Sequence, residues 1–321
     1  MNHLHTIQLT DYPLPDQTVQ TLYLNYEIFG QPLHQAPVVL VNHALTGNST
    51  VTGEQGWWNQ VVGYDQVIDL NRYTVLAFNI PGNGYGNQPE QLLLNYTSFT
   101  TAVVADIFWK GLHFLQVPQL YAVIGGSLGG SIAWEMALQR PEAIHHLIPI
   151  ATNLQASDWL IGQVVVQEAI LNHSNQPLED ARKHAMLLYR TPESINQKFT
   201  RNQPSTDQIH PVEQWLIYHG HTLQKRFQLA AYQLMNHLLQ TIGNTLTEKQ
   251  IKQFVLTTTS QITMITVDSD GMFTAKEQRE TYCKLYAYGA DIQYKEIQSI
   301  HGHDAFLMEY QQLQTLLQPL F

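Results

Sequence analysis

Residues 121–129 have the sequence Tyr121-Ala122-Val123-Ile124-Gly125-Gly126-Ser127-Leu128-Gly129, in which an apolar run leads into the pattern G-x-S-x-G. The apolar run predicts a buried strand, and the apolar spacing over 129–140 predicts a helix after it. A sharp turn between them holds a serine exposed above a sheet, and flanking glycines let the neighbouring backbone approach. This context favours Ser127 as a nucleophile over a phosphate-binding turn, which would want a first-strand position and further phosphate-binding features.

Other short apolar runs predict strands that are buried on both faces of a parallel sheet. They lie at residues 38–41, 73–78, 146–150 and 262–267, and looser patterns predict strands over 20–29 and 291–297. Helical spacing occurs over 98–116, over 275–288 and from about residue 304. The alternation of strand and helix predicts an α/β fold with right-handed crossovers.

Residues 154–258 have a different pattern, because they contain no strand-like runs. Helical spacing of apolar residues occurs over 161–171, 179–190 and 211–240. We therefore predict one α/β core, formed by residues 1–153 and 259–321, with a helical insertion over 154–258. The insertion carries nine Lys and Arg against eight Asp and Glu, whereas the remainder carries seven against eighteen. The acidity of the chain therefore belongs to the predicted core.

The composition excludes several classes of protein. Hydrophobic residues make up 44% of the 321, which is ample for a packed core and rules out a disordered chain. The formal net charge of −10 argues against nucleic acid or an anionic membrane as the main partner. No apolar run approaches the roughly 20 residues that a transmembrane helix needs. Residues 1–20 contain no apolar segment of the kind found in signal peptides.

Cys283 is the only cysteine, so an internal disulfide is excluded. A reducing compartment, most simply the cytoplasm, is therefore the expected location. Because Cys283 lies within a helical pattern, we expect its side chain to pack rather than to take part in catalysis.

A nucleophilic serine needs a base, and the base needs an acid that orients it. Where a serine occupies such a strand-to-helix turn, the acid and then the histidine follow it along the chain. Asp268 and Asp270 both follow the apolar run that ends at Val267, and His301 and His303 both follow the last predicted strand. Spacing alone resolves neither pair.

Closely spaced histidines also raise the question of a metal site. The pairs His301-x-His303 and His219-x-His221 have a suitable spacing, but no clear further ligand set accompanies them. With 15 histidines in the chain, such spacings arise easily. We predict no metal.

An acyl-serine intermediate forms through an oxyanion, which needs amide donors. One donor is the backbone N–H directly after the nucleophile, which belongs to Leu128. The other should come from the loop after the third strand, which has the sequence Asn42-His43-Ala44-Leu45-Thr46-Gly47.

Four segments together resemble the signature segments of the homoserine O-acetyltransferases, the α/β-hydrolase-fold family of methionine biosynthesis. They are Asn42-His43-Ala44-Leu45-Thr46-Gly47, Gly56-Trp57-Trp58, Gly125-Gly126-Ser127-Leu128-Gly129-Gly130 and Gly302-His303-Asp304-Ala305-Phe306-Leu307. The resemblance implies Ser127, Asp270 and His303 as catalytic residues, and the amides of Leu45 and Leu128 as oxyanion donors. It also implies an α/β-hydrolase fold, with a mostly parallel sheet flanked by helices and with the helical insertion as a lid.

The resemblance further implies two residues that bind the amino acid substrate. Arg182 would hold the carboxylate with its planar guanidinium, and Asp304 would accept hydrogen bonds from the ammonium group. The residues alone leave other interpretations open. Arg182 could be a solvated charge on a helix, and Asp304 could be an acid in the first turn of the last helix.

The activity that the resemblance implies is transfer of an acetyl group from acetyl-CoA to the hydroxyl of L-homoserine, by a ping-pong mechanism through an acyl-serine. Acetyl-CoA is then a co-substrate, no bound cofactor is expected, and the family implies a homodimer built through the lid helices. The glycine-rich segment 80–89 departs from the family pattern near the predicted substrate entrance. Succinyl-CoA as donor and serine as acceptor therefore stay open.

Two other classes of function also stay open. A carboxylesterase or thioesterase would use the same three catalytic residues with water as acceptor, but it would need neither Arg182 nor Asp304. A non-catalytic binding module of this fold is the other class, and the intact set of serine, aspartate and histidine argues against it.

Overall fold

The computed structural model of the chain describes residues 4–86, 88–200 and 209–321. Asn87 of the glycine-rich segment and Arg201 of the insertion lie outside the described residues. The strands, in chain order, are β1 (His5–Pro13), β2 (Val19–Gly30), β3 (Val38–Asn42), β4 (Val62–Gly63), β5 (Ile68–Asp69), β6 (Thr74–Phe78), β7 (Leu120–Gly126), β8 (Ile144–Ile150), β9 (Gln261–Val267) and β10 (Ile292–Ile297).

Eight of these strands form one sheet with the order β1-β2-β6-β3-β7-β8-β9-β10, and β4 and β5 form a separate pair. The six strands from β6 to β10 in that order are parallel to one another. Strands β2 and β1 extend one edge in antiparallel pairing. The mostly parallel sheet confirms the predicted α/β fold.

The α-helices of the described residues complete the alternation. They are α1 (Thr101–Phe114), α2 (Leu128–Gln139), α3 (Asp158–His173), α4 (Pro177–Tyr189), α5 (Pro192–Phe199), α6 (Pro211–Arg226), α7 (Leu229–Gln240), α8 (Glu248–Thr257), α9 (Ala275–Ala287) and α10 (Tyr310–Leu317). Helices α3 to α8 all lie between β8 and β9, and the described part of that segment contains no strand. None of the helices in the described ranges has the length and apolarity to cross a membrane.

The central strands are almost wholly apolar because the sheet is covered on both faces. Successive side chains of a strand point to opposite faces. Along β3, Val39 and Val41 pack into one hydrophobic cluster and Leu40 packs into the other. Strand β7 lies in the interior of this sheet, so the residue that follows it, Ser127, stands at the carboxyl edge away from both ends of the sheet.

The helical segment between β8 and β9 packs on itself and on the core. Helix α3 contacts α4 and α7, and α4 contacts α6. Gly220 of α6 permits a close approach to α4, because a Cβ there would lie 3.1 Å from the carbonyl oxygen of Glu179. Between α7 and α8, the amide of Gly243 donates a hydrogen bond to the carboxylate of Glu135 on α2 at 3.2 Å. The segment is therefore tied to the helix that begins directly after Ser127.

Two of the predicted helical regions are divided. The spacing over 211–240 indicates one helix, but Phe227 and Gln228 have extended backbone, so α6 and α7 are separate. The last helical region begins as a 3-10 helix, Gly302–Leu307, and α10 follows it.

Cys283 is exposed, so the prediction that it packs is wrong. It lies on α9 as expected, but Leu285 of the same helix is fully buried. Two positions along an α-helix correspond to a rotation of about 200°, so the two side chains face in opposite directions. The sequence pattern also missed β1, whose pairing with β2 shifts register between Leu9 and Tyr12.

Candidate active site

Ser127 occupies a strained turn between β7 and α2. Its backbone angles are φ 55° and ψ −127°, and a positive φ is uncommon for a residue with a side chain. Such a conformation costs of the order of 1–3 kcal/mol and persists only where the surroundings enforce it. Here the amide of Ser127 donates to the carbonyl oxygen of Ile150, at the end of β8. The turn therefore holds the serine at the edge of the sheet, as the glycine-rich pattern predicts.

A line of hydrogen bonds runs from Ser127 through His303 to Asp270. The Oγ of Ser127 lies 2.8 Å from Nε2 of His303, and Nδ1 of His303 lies 2.7 Å from Oδ2 of Asp270. All three side chains are buried. The other carboxylate oxygen of Asp270 accepts from the amides of Met272 and Phe273, at 2.7 and 2.9 Å. Because Asp270 is held on both oxygens, it fixes the orientation of the imidazole.

The charges around His303 favour its protonated form. Burial lowers the pKa of His303, but the charge of Asp270, its hydrogen bond and the charge of Asp304 more than offset this. The pKa of His303 therefore lies above its usual value. The ring of Phe273 stacks on the imidazole of His303, with ring centres 5.6 Å apart, and covers that face of the imidazole.

The spare members of the two ambiguous pairs lie apart from this line. Asp268 is exposed, and its Oδ1 accepts a hydrogen bond from the amide of Ser299 at 2.9 Å. Nδ1 of His301 lies 2.9 Å from the hydroxyl of Ser194 and 3.1 Å from a guanidinium nitrogen of Arg190. Within the ranges that the structure describes, no group of three or more His, Cys, Asp and Glu side chains is placed to hold a metal.

The two segments that carry the predicted oxyanion donors are joined to each other. Leu128 begins α2, and the first N–H groups of a helix have no acceptor within that helix. The next residue, Gly129, lies against the loop after β3, where a Cβ would come within 2.3 Å of the carbonyl oxygen of Asn42. The side-chain amide of Asn42 donates to the carbonyl oxygen of Gly129 at 3.2 Å. Only glycine permits this approach, which brings the Leu45 loop to the start of α2.

A cavity of about 80 Å³ opens at Ser127 and brings most of the predicted site residues together. Its lining includes Leu45, Ser127, His303, Arg182, Asp304 and Tyr189. The guanidinium carbon of Arg182 lies 5.6 Å from the ring centre of Tyr189. In the described part of the chain, the side chains of Arg182 and Asp304 form neither an ion pair nor a hydrogen bond. A cationic side chain and a carboxyl side chain, neither in an ion pair, thus line the same cavity as the serine.

The environment of Asp304 raises the pKa of its carboxyl above the usual value. Burial raises the pKa of this carboxyl, and the positive charges of His303, Arg182 and Arg190 only partly offset the effect. A cationic group bound beside Asp304 would stabilise its ionised form. The site therefore has one permanent positive charge and one carboxyl whose ionised form a bound cation would stabilise.

Several residues of the site were not predicted. Met272 and Phe273 supply the amides that hold Asp270. Their only signal in the sequence is that they closely follow the acid. Tyr189 follows Arg182 as the tyrosine does in the family's arginine segment, but its place in the cavity wall beside Arg182 was not predicted.

The comparisons with known proteins concern the fold and the family. A family model described as alpha/beta hydrolase fold matches residues 37–295. A homoserine O-acetyltransferase of Cyclobacterium marinum is 30% identical, over 88% of this chain and 84% of that protein. A solved homoserine O-acetyltransferase from Bacillus anthracis superposes with a TM-score of 0.88 at 16% identity, covering 100% of this chain and 97% of the other.

A solved esterase, E22, superposes almost as closely, with a TM-score of 0.87 at 15% identity and full coverage of both chains. At such identities the two solved structures show the fold alone. The family model and the Cyclobacterium marinum relative carry the assignment further. The chain belongs to the homoserine O-acetyltransferases, a family of enzymes with the α/β-hydrolase fold.

Proposed function

We propose that this enzyme transfers an acetyl group from acetyl-CoA to the hydroxyl of L-homoserine. The observation that carries the proposal is the placement of Arg182 and Asp304 in the cavity that contains Ser127. An enzyme that hydrolyses a simple ester needs neither charge, whereas an amino acid acceptor has a carboxylate and an ammonium group that match them.

In the first half of the reaction, Ser127 attacks the thioester carbonyl while Nε2 of His303 takes the proton of its hydroxyl. The amides of Leu45 and Leu128 stabilise the oxyanion, an effect worth roughly 3–4 kcal/mol per donor in measured enzymes. The C–S bond then breaks, and CoA leaves with the proton from His303. Asp270 stabilises the imidazolium that forms along the way. The product is an acetyl ester on Ser127.

In the second half, the hydroxyl of homoserine replaces the thiol. Arg182 binds the carboxylate of the amino acid, and the ionised Asp304 binds its ammonium group. Nε2 of His303 takes the hydroxyl proton, the oxygen attacks the acetyl carbonyl, and Ser127 leaves as its alcohol with the proton from His303. O-acetylhomoserine and free enzyme are the products of this balanced exchange.

Water competes with homoserine for the acetyl group, so the site must be kept dry. We propose that residues 154–258 serve as a lid, with residues 1–153 and 259–321 as the core, because Arg182 and Tyr189 of α4 form part of the cavity wall.

The residues of this segment that are large, apolar and exposed include Trp159, Val165, Val166, Leu187 and Tyr218. We propose that they contribute to a homodimer interface, which sedimentation at micromolar concentration would test.

The decisive assay follows CoA release from acetyl-CoA with and without homoserine. Sustained release that requires homoserine and is lost in Ser127→Ala supports the proposal. Equal release without an acceptor identifies a thioesterase instead, and faster turnover with succinyl-CoA or serine reassigns the donor or the acceptor.

Acetyl-CoA as co-substrate and a lone cysteine also lead us to propose a cytoplasmic location.

A further inference from the structure

His43 lies in the loop after β3, two residues before Leu45, and no step of the mechanism above uses it. Its side chain is 1% exposed. Nδ1 lies 2.7 Å from the carbonyl oxygen of Ala44, and Nε2 lies 3.0 Å from the amide nitrogen of Ile80. The side-chain amide of Asn83 approaches the same Nε2 at 3.4 Å. The ring therefore bridges the Leu45 loop and the glycine-rich segment that follows β6.

The partners of the ring determine its tautomer. A carbonyl oxygen only accepts, so Nδ1 must hold the proton and donate to Ala44. A backbone amide only donates, so Nε2 must present its lone pair to Ile80. Burial lowers the pKa of His43 to about 4, so the ring stays neutral at the pH values where the enzyme would work. One neutral tautomer thus satisfies both nitrogens.

The bond to Ala44 has a direct consequence for Leu45. The carbonyl of Ala44 and the N–H of Leu45 belong to the same peptide unit, which is planar and trans. In a trans peptide unit the C=O and N–H bonds point in opposite directions, so a fixed carbonyl oxygen also fixes the direction of the N–H. The carbonyl accepts a second hydrogen bond from the amide of Gly47 at 2.9 Å. With the oxygen held from two sides, the Leu45 amide has little freedom to turn.

We propose that His43 is a positioning residue, which orients the Leu45 amide for the oxyanion and ties its loop to Ile80. The inference rests on the proposed acyl chemistry at Ser127, but it does not depend on which acceptor or acyl donor is natural. An amide that is already aimed at the oxyanion does not have to reorganise during the reaction, and this preorganisation is the source of its effect.

Two substitutions separate the two bonds of the ring. Asparagine places an amide nitrogen near the position of Nδ1, so His43→Asn retains a donor to Ala44 and loses the contact with Ile80. Glutamine reaches the position of Nε2, so His43→Gln retains an acceptor for Ile80 and loses the bond to Ala44. His43→Gln loses one hydrogen bond, whereas His43→Asn loses the bond to Ile80 and the longer contact with Asn83. A purely structural role therefore predicts an effect of His43→Asn at least as large as that of His43→Gln.

The test uses p-nitrophenyl acetate, which acylates Ser127 without homoserine or CoA. We expect kcat of His43→Asn within about threefold of wild type, and a loss of about 100-fold in His43→Gln, the scale for one oxyanion donor. The KM of both should stay within about twofold. A trifluoromethyl ketone, which forms a tetrahedral adduct on the serine, should lose affinity by the same factor as kcat.

Equal losses of kcat in the two variants, or a rise in KM without loss of kcat, would overturn the inference. If circular dichroism shows that His43→Gln does not fold, the kcat of His43→Asn decides. A kcat near the wild-type value supports the positioning role of His43, and a loss of kcat near 100-fold contradicts it. Wild-type enzyme that never releases p-nitrophenol would refute the acyl-serine chemistry itself. These outcomes distinguish a wrong role for His43 from a wrong assignment of the chemistry at Ser127.

Discussion

Arg182→Gln is the substitution that best separates acetyl transfer from hydrolysis. The change keeps much of the side-chain length but removes the positive charge that lines the cavity beside Ser127. In the described residues Arg182 has no ion-pair partner, although its charge lowers the pKa of the nearby Asp304 carboxyl. The main cost of the substitution therefore falls on the bound amino acid. Two hydrogen bonds to a charged group are worth about 1.5–3 kcal/mol each, and the lower end applies to a partly exposed arginine.

The expected loss is therefore about 3 kcal/mol, which corresponds to roughly 150-fold in kcat/KM for homoserine. The first half-reaction should be unaffected, because the thioester does not need the guanidinium. Stopped-flow measurement of enzyme acetylation without homoserine, alongside steady-state kcat/KM with it, resolves the two halves.

Lys183→Gln is the matched control. Lys183 is the next residue of α4, but its ammonium group pairs with Asp180 at 2.9 Å and does not line the cavity. We expect kcat/KM of this variant within about twofold of wild type. If Arg182→Gln leaves kcat/KM for homoserine unchanged, or slows acetylation equally, then Arg182 is only a helix charge and the acceptor assignment is wrong.

Three further predictions concern the catalytic residues and Asp304. Asp270→Asn should lower kcat about 10⁴-fold, as loss of the orienting acid does in serine hydrolases, whereas Asp268→Asn should change it less than twofold in the same assay. His303 must be neutral to act as a base, so activity rises as pH passes its pKa. Because Asp304 raises that pKa, Asp304→Asn should move the acidic limb of the p-nitrophenyl acetate pH–rate profile to lower pH, and a shift to higher pH would contradict the charge assignment. Ser127→Gly should be about 1 kcal/mol more stable than Ser127→Ala in urea unfolding, because glycine tolerates the positive φ, and equal midpoints would argue against strain in the turn.

The sheet was predictable because its strands are buried on both faces. A continuous apolar run such as that of β3 suits few other environments, so its position follows from composition alone. The turn at Ser127 was predictable for a related reason, since a glycine on each side of a serine after such a run suits few structures other than this elbow. In both places one physical requirement dominates the choice of residue.

The choice between Asp268 and Asp270 was not predictable from spacing. Both residues follow β9, and what distinguishes them is a turn whose amides, from Met272 and Phe273, point at one carboxylate. Amide directions depend on backbone angles that no side-chain pattern encodes. The resemblance to a known family selected Asp270, and the geometry then placed it against His303.

The break between α6 and α7 shows a different limit. The apolar spacing continues through Phe227 and Gln228, so local periodicity predicts one helix across them. The chain turns there because α7 packs against α3, whereas α6 packs against α4. Tertiary packing decides the break, and a pattern read along one segment contains no information about the partner helices.

We propose that an acetyl group on Ser127 passes to an amino acid in preference to water. Intact mass spectrometry after mixing with acetyl-CoA measures this directly. We predict a species heavier by about 42 Da, located on Ser127, which decays slowly in buffer and vanishes on addition of homoserine as O-acetylhomoserine forms in equal amount. An adduct that decays at the same rate with and without homoserine, or one that survives in Ser127→Ala, would contradict acetyl transfer through Ser127.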